Sequence, residues 1–286
     1  MIITLKKGNT TMAISSLGAE PQSLIRDGIE YIWQGDPAFW PRKAPLLFPM
    51  SGPTKDNKLS CKGRIYDMPN NGFARDNEFK AEQLTDDIAQ FTLEDNETFR
   101  EKYYPYGFVL TVTYTLHEDG YTARAEIYAK EDLHYTFAWH PGFSLDINGK
   151  GCDLETYSLS FLEEERLDRL YQSGEGYVRE KDFLIGDSLD LKRAETDKGP
   201  MVFRNVKSRE ITLTSSQGEH GVTVDLGDMT TFVCWTQLAK HAQFVCLEPM
   251  ASFGFADRPL EIEKMDEAFF LAEGESAVWE NTFTVF

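Results

Sequence analysis

Two titratable residues occupy matching positions in this chain. His140 sits in Trp139-His140-Pro141-Gly142-Phe143, and Glu248 sits in Leu247-Glu248-Pro249. Each ends a mostly apolar run and stands immediately before a proline. An imidazole and a carboxylate are suited to giving and taking protons near neutral pH. If both runs open on the same side of one sheet, the two side chains face a shared cleft, where one gives a proton while the other takes one. Singly, each has a plainer reading: His140 as a satisfied core histidine, Glu248 as an ion-paired or rim-exposed glutamate. The repeated pattern, rather than either residue, points to chemistry.

Both residues need strands to hold them. With the period of two that a strand imposes, Tyr135, Phe137 and Trp139 point one way, while His134, Thr136, Ala138 and His140 point the other. Pro141 and Gly142 should then stop the ladder. Phe244, Cys246 and Glu248 likewise share one face, and Pro249 is expected to terminate that strand. An acid in an apolar strand is expensive unless it is paired or used. The rest of the chain reads as short β-type runs separated by turn residues. Residues 2–5 and 11–14 flank a hairpin turn at Lys6-Lys7-Gly8-Asn9, and 277–286 forms a closing strand. Residues 108–116, 121–129 and 134–140 predict an antiparallel meander. Helical periodicity is scarce, with Glu97 to Tyr103 the best short helix. Glu163-Glu164-Glu165 reads as a solvated loop face. The fold class is all-β with one or two short helices, and residues 1–286 are expected to form a single domain.

The chain carries 47 acidic against 29 basic residues, a formal charge of −18. That balance opposes binding to nucleic acid or to anionic membranes. The start, Met1 to Gly8, lacks the order of a signal peptide, and no run of 18 apolar residues occurs, so a cytoplasmic location is expected. Cys61, Cys152, Cys234 and Cys246 lie far apart with no C-x-x-C pairing and read as free thiols. The five histidines show no metal-ligand spacing, so a metal site would have to be assembled from distant strands, and none is expected.

Two further stretches bear on binding. Asn70-Asn71-Gly72-Phe73-Ala74-Arg75 can present an amide and a guanidinium together, donors that hold hydroxyls or a carboxylate, although Asn-Gly is also a common hairpin turn. Phe39 to Pro49, with three prolines, suits an ordered aromatic wall or a plain packed loop. A reaction that needs simultaneous push and pull of protons on a neutral, hydroxyl-rich molecule, with no nucleophile or cofactor, is the ring opening of a sugar hemiacetal.

These stretches, together with Gly18-Ala19-Glu20 and Glu30-Tyr31-Ile32-Trp33-Gln34-Gly35-Asp36, occur in an order and spacing that resembles the aldose 1-epimerase (galactose mutarotase) family, in particular its LacX-like and hexose-6-phosphate-mutarotase-like branch. The resemblance covers nearly the whole chain. It implies a large twisted antiparallel β-sandwich and a cofactor-free mutarotase acting on an aldose or sugar phosphate, as monomer or homodimer. It also implies that His140 protonates the ring oxygen, that Glu248 takes the proton of the anomeric hydroxyl, and that Asn71, Arg75 and Asp228 hold the substrate. Asp228 follows Gly227 and reads equally as a turn aspartate. The sequence departs from the family pattern where Asn71 replaces a histidine and where Pro53 follows Gly52 in place of an arginine. Those departures motivate an alternative, a carbohydrate-binding or sensing protein on the same fold. A glycoside hydrolase would need a second carboxylate, and Asp228 is the one available to pair with Glu248.

Overall fold

The computed structural model describes residues 1–286 except 152, 175, 238–240 and 256. Fifteen strands form one large sheet, and four more at the start form a meander, with every pairing between named strands antiparallel. The alternation seen in the sequence survives as burial. Along Phe108–His117, every second side chain is buried and the others are half-buried. The opening meander packs on that face, so Leu5, Met12 and Ile14 join Leu110, Val112 and Tyr114 in the main core. The helix at Glu97–Lys102 is present, with the Asn96 side chain accepting from the Phe99 N–H at its start. A second short helix spans Arg193–Thr196.

Several elements differ from the sequence reading. Phe108–His117 pairs with Gly120–Ala129 as expected, but the next neighbour of that hairpin is Ser276–Val285. The predicted third strand is broken in two. Leu133–Tyr135 pairs with Phe269–Leu271 in a separate ribbon, while Ala138–Trp139 lies in the large sheet between Leu46–Leu47 and Met250. A segment entering the sheet from another layer cannot stay in register with the hairpin before it. The acidic run lies inside the long strand Tyr157–Ser173 rather than in a loop. Glu163 and Glu164 are exposed, as a solvated face requires. Glu165 is buried, because its carboxylate accepts the backbone N–H groups of Lys207 and Ser208 and the Ser208 hydroxyl.

The site region is built on strands whose two faces serve different ends. From Phe244–Met250, Val245 and Leu247 enter the main core. Phe244 and Cys246 pack on the opposite face with Trp33, and Met250 joins Leu47, Ala138 and Val233 there. Glu248 shares that second face by strand parity.

Candidate active site

Pro249 does not end its strand, which continues to Met250. Its neighbours Leu247 and Ala251 donate their N–H groups to the carbonyls of Pro141 and Phe137. The amide between them, that of Pro249, has no hydrogen to give. Opposite it, the strand Ala138–Trp139 stops and resumes at Gly142–Ser144, and the pairs Ala138↔Met250 and Gly142↔Cys246 share one register that sets His140 across from Glu248. On its other side the His140 N–H donates to the carbonyl of Pro45, continuing the pairing of Ala138–Trp139 with Leu46–Leu47. His140 and Glu248 thus stand opposite each other on neighbouring strands, beside the one ladder hydrogen bond that Pro249 cannot make.

His140 Nε2 lies 3.5 Å from Glu248 Oε2. The imidazole stacks on Trp40, with centroids 5.0 Å apart and planes 28° apart, and meets Trp235 edge-on at 5.6 Å. Trp40 is stacked in turn on Phe244, and its carbonyl accepts the indole N–H of Trp33. These contacts locate the ring without using its Nδ1, which is buried with no hydrogen-bond partner, as is Glu248 Oε1. The His140 side chain is 12% exposed and that of Glu248 3%.

Burial decides the protonation of the pair. It pushes the Glu248 carboxyl well above its usual range. Burial also lowers His140 to about 3, with the positive charges of Arg75 and Arg42 adding to the effect. Both shifts disfavour an ion pair. Both directions favour the charge-neutral form of the pair, with its proton on Glu248, over the ion pair.

Both residues line a cavity of about 460 Å³, walled by Trp40, Trp235 and Phe253. Asn71 and Arg75 line it too. Asn71 adopts a positive φ of 65° beside Gly72, whose φ is 73°. A Cβ on Gly72 would come within 2.2 Å of the Phe48 carbonyl oxygen, so only glycine allows the two loops to approach this closely. The Asn71 Oδ1 accepts the Gly52 N–H at 2.8 Å, which leaves its amide nitrogen as the group for a ligand. Arg75, in the turn Ala74–Asp76, donates to the Asn70 carbonyl and lies 3.9 Å from Asp76, which also holds Arg42 at 2.6 Å. Burial, helped by Arg42, lowers Arg75 to about 10.

Asp228 does not join this group. It is exposed in the turn after Gly227, whose N–H is taken by Asp225, and it does not line the cavity. The turn chemistry of Gly-Asp outweighs the binding role that the family resemblance implied. Among the described residues lining the cavity, Glu248 is the one carboxylate, so the pairing that a glycoside hydrolase would require is not formed. Among the lining residues not singled out from sequence as site residues are Trp235, Gln172 and Phe253. Trp235 carried a signal, since strand parity places it on the face of Val233. Gln172 comes from the far end of a long hairpin and carried none.

A family model described as aldose 1-epimerase matches residues 1–255. The chromosomal LacX protein of Lactococcus lactis subsp. lactis is 31% identical over 267 residues, covering 87% of each chain. A galactose mutarotase-like protein from Lactobacillus casei ATCC 334 superposes with a TM-score of 0.89 at 25% identity over 100% of both chains. A galactose mutarotase related enzyme from Lactobacillus acidophilus gives 0.90 at 24% identity, covering 100% of this chain and 97% of that one, a likeness of fold alone. The fold expectation, a large antiparallel β-sandwich with one or two short helices, holds. With that fold and a family match across most of its length, the chain belongs to the aldose 1-epimerase family.

Proposed function

We propose that the protein is a mutarotase that interconverts the α and β anomers of an aldose or aldose phosphate by proton transfer alone. The observation that carries this reading is the 3.5 Å separation of His140 Nε2 and Glu248 Oε2 on the cavity wall. The ring oxygen and the anomeric oxygen of a cyclic sugar are bonded to the same carbon. The two proton carriers that serve them must therefore stand close together, on one side of the ring.

In the forward step His140 gives its proton to the ring oxygen as Glu248 takes the proton of the anomeric hydroxyl. The bond between the ring oxygen and the anomeric carbon breaks and the open-chain aldehyde forms. Rotation about the adjacent carbon–carbon bond and reclosure, with the roles of acid and base exchanged, yields the other anomer. The reactive arrangement needs the shared proton on His140. Sugar hydroxyls hydrogen-bonded to the Glu248 carboxylate supply the stabilisation that burial withholds from its charged form. Trp40 and Trp235 offer apolar faces to the sugar ring, and Asn71 and Arg75 offer donors to its hydroxyls.

The test is anomer exchange, followed by polarimetry or NMR on freshly dissolved α-anomers of several aldoses and aldose phosphates. Exchange well above the buffer rate for at least one sugar is expected, and no acceleration across the panel would overturn the reading. Calorimetric binding without exchange would instead mark a sugar-binding protein on the same fold.

A further inference from the structure

Cys246 takes no part in the proposed proton transfer, yet it lies beside both proton carriers. It stands two residues before Glu248 on the same strand face and pairs across the sheet with Gly142 and Trp235. One ligand atom from each of His140, Cys246 and Glu248 lies within 4.8 Å of the other two. The donors are an imidazole nitrogen, a thiol sulfur and a carboxylate oxygen, from two segments that sequence spacing keeps more than a hundred positions apart.

We propose that His140, Cys246 and Glu248 form a binding site for a thiophilic divalent cation, zinc in particular, and that its occupancy blocks anomer exchange. Zinc accepts this mixed nitrogen, sulfur and oxygen set in tetrahedral geometry. Bonds of ordinary length place ligand atoms on one zinc about 3.4 to 3.6 Å apart. The His140–Glu248 separation of 3.5 Å already matches that edge. Bringing in the sulfur takes roughly 1 Å of side-chain movement, judged from the same bond lengths. Glu248 Oε1 is buried without a partner, so this wall of the cavity holds polar capacity that the protein itself leaves unmet. With three protein ligands, the fourth position is left for water or a sugar hydroxyl from the cavity.

The charge balance is that of a thiolate site. On binding, the Cys246 thiol proton and the proton on Glu248 pass to solvent, and the two anionic ligands neutralise the dication. A hard cation such as magnesium prefers an all-oxygen shell and is excluded by the sulfur and nitrogen. A zinc bound here occupies the lone pair of His140 and one oxygen of Glu248, so neither can move a proton. The binding claim stands on the ligand geometry alone; the inhibition claim rests on the proposed function.

The test titrates the metal-free full-length protein with cobalt(II) as a spectroscopic probe and with zinc in the anomer-exchange assay. One cobalt per chain with a sulfur-to-metal charge-transfer band is expected, and micromolar zinc should abolish exchange until a chelator restores it. Cys246→Ser and Cys246→Ala should each keep exchange, lose the cobalt band and weaken zinc binding by about tenfold or more. Equilibrium dialysis that finds no bound zinc or cobalt at micromolar metal would overturn the proposal. So would a cobalt band that survives both substitutions, since the ligand would then be another thiol. If the protein has no exchange activity at all, the cobalt band and dialysis still decide the site, so that failure is distinct from the failure of the function.

Discussion

His140 is located by aromatic packing rather than by hydrogen bonds to its ring, and Glu248 by a buried strand face. Such an arrangement favours the neutral form of both groups and still leaves their polar atoms available to a ligand. His140→Asn and Glu248→Gln should each lower the exchange rate by about 10² or more, as removal of a general acid or base does, while near-native thermal unfolding shows that the fold persists. A loss under tenfold in both would remove the pair from the chemistry. The pH dependence of stability follows from the same burial. His140 titrates at about 3 in the native protein against an ordinary 6.5, so between those values the unfolded chain binds a proton that the native chain does not. Native stability is then lost as pH falls through that window. Glu248 acts in the opposite sense, since its raised value costs stability as pH rises above the ordinary 4.5. Of this pair, His140 is the one that still distinguishes the two states below 4.5, and it contributes a slope of up to about 1.4 kcal/mol per pH unit. Urea unfolding at stepped pH from 4.5 to 3 should show a shallower decline for His140→Asn than for the wild type. Equal slopes would contradict a buried neutral imidazole.

At the scale of elements, the site depends on places where regular structure is interrupted. Pro249 has no N–H to give where its strand faces Ala138–Trp139, and the loop Ser51–Gly52–Pro53 brings Gly52 and Pro53 to the cavity wall. That loop is fastened from behind by Arg258, a buried side chain that donates to the carbonyls of Ser51, Gly52 and Pro53 and pairs with Glu267 at 3.3 Å. The Gly52 N–H in turn holds Asn71. Arg258→Met strands three carbonyls and an inward carboxylate, and should cost about 3 to 5 kcal/mol by urea unfolding. If the variant remains folded, KM for the sugar should rise more than kcat falls, because Asn71 moves and the proton carriers do not. A loss below about 1 kcal/mol would show that solvent satisfies the loop without the arginine. The period-two reading found the hairpin of Phe108–His117 with Gly120–Ala129 and the strand that carries Glu248, since alternation is a local property. It missed the broken third strand and the Arg258 clamp, because which neighbour a strand pairs with and what lies behind a loop are set by distant residues.

At the scale of the whole molecule, a chain of net charge −18 brings two guanidinium groups, Arg42 and Arg75, to its cavity, sharing the single carboxylate of Asp76. Burial favours the uncharged form of Glu248, so the arginines set the sign of the cavity wall within an acidic protein. An aldose phosphate should therefore show a lower KM than the free aldose at low ionic strength, and added salt should narrow the difference as it screens the arginines. Equal KM values for the two sugars, independent of salt, would remove Arg42 and Arg75 from substrate selection. Among the described residues, no helix is long and apolar enough to cross a membrane.

From residue order alone came the all-β class, the family, and the candidates His140, Glu248, Asn71 and Arg75, because strand alternation and proline-bounded motifs are written locally along the chain. Tertiary structure alone decided that His140 and Glu248 meet at 3.5 Å, that burial favours the neutral form of both, that Cys246 lies beside them, and that Asp228 does not. The physical reason is that distance, desolvation and partnership are properties of neighbours in space. Here those neighbours come from strands that pair across more than a hundred residues of intervening chain.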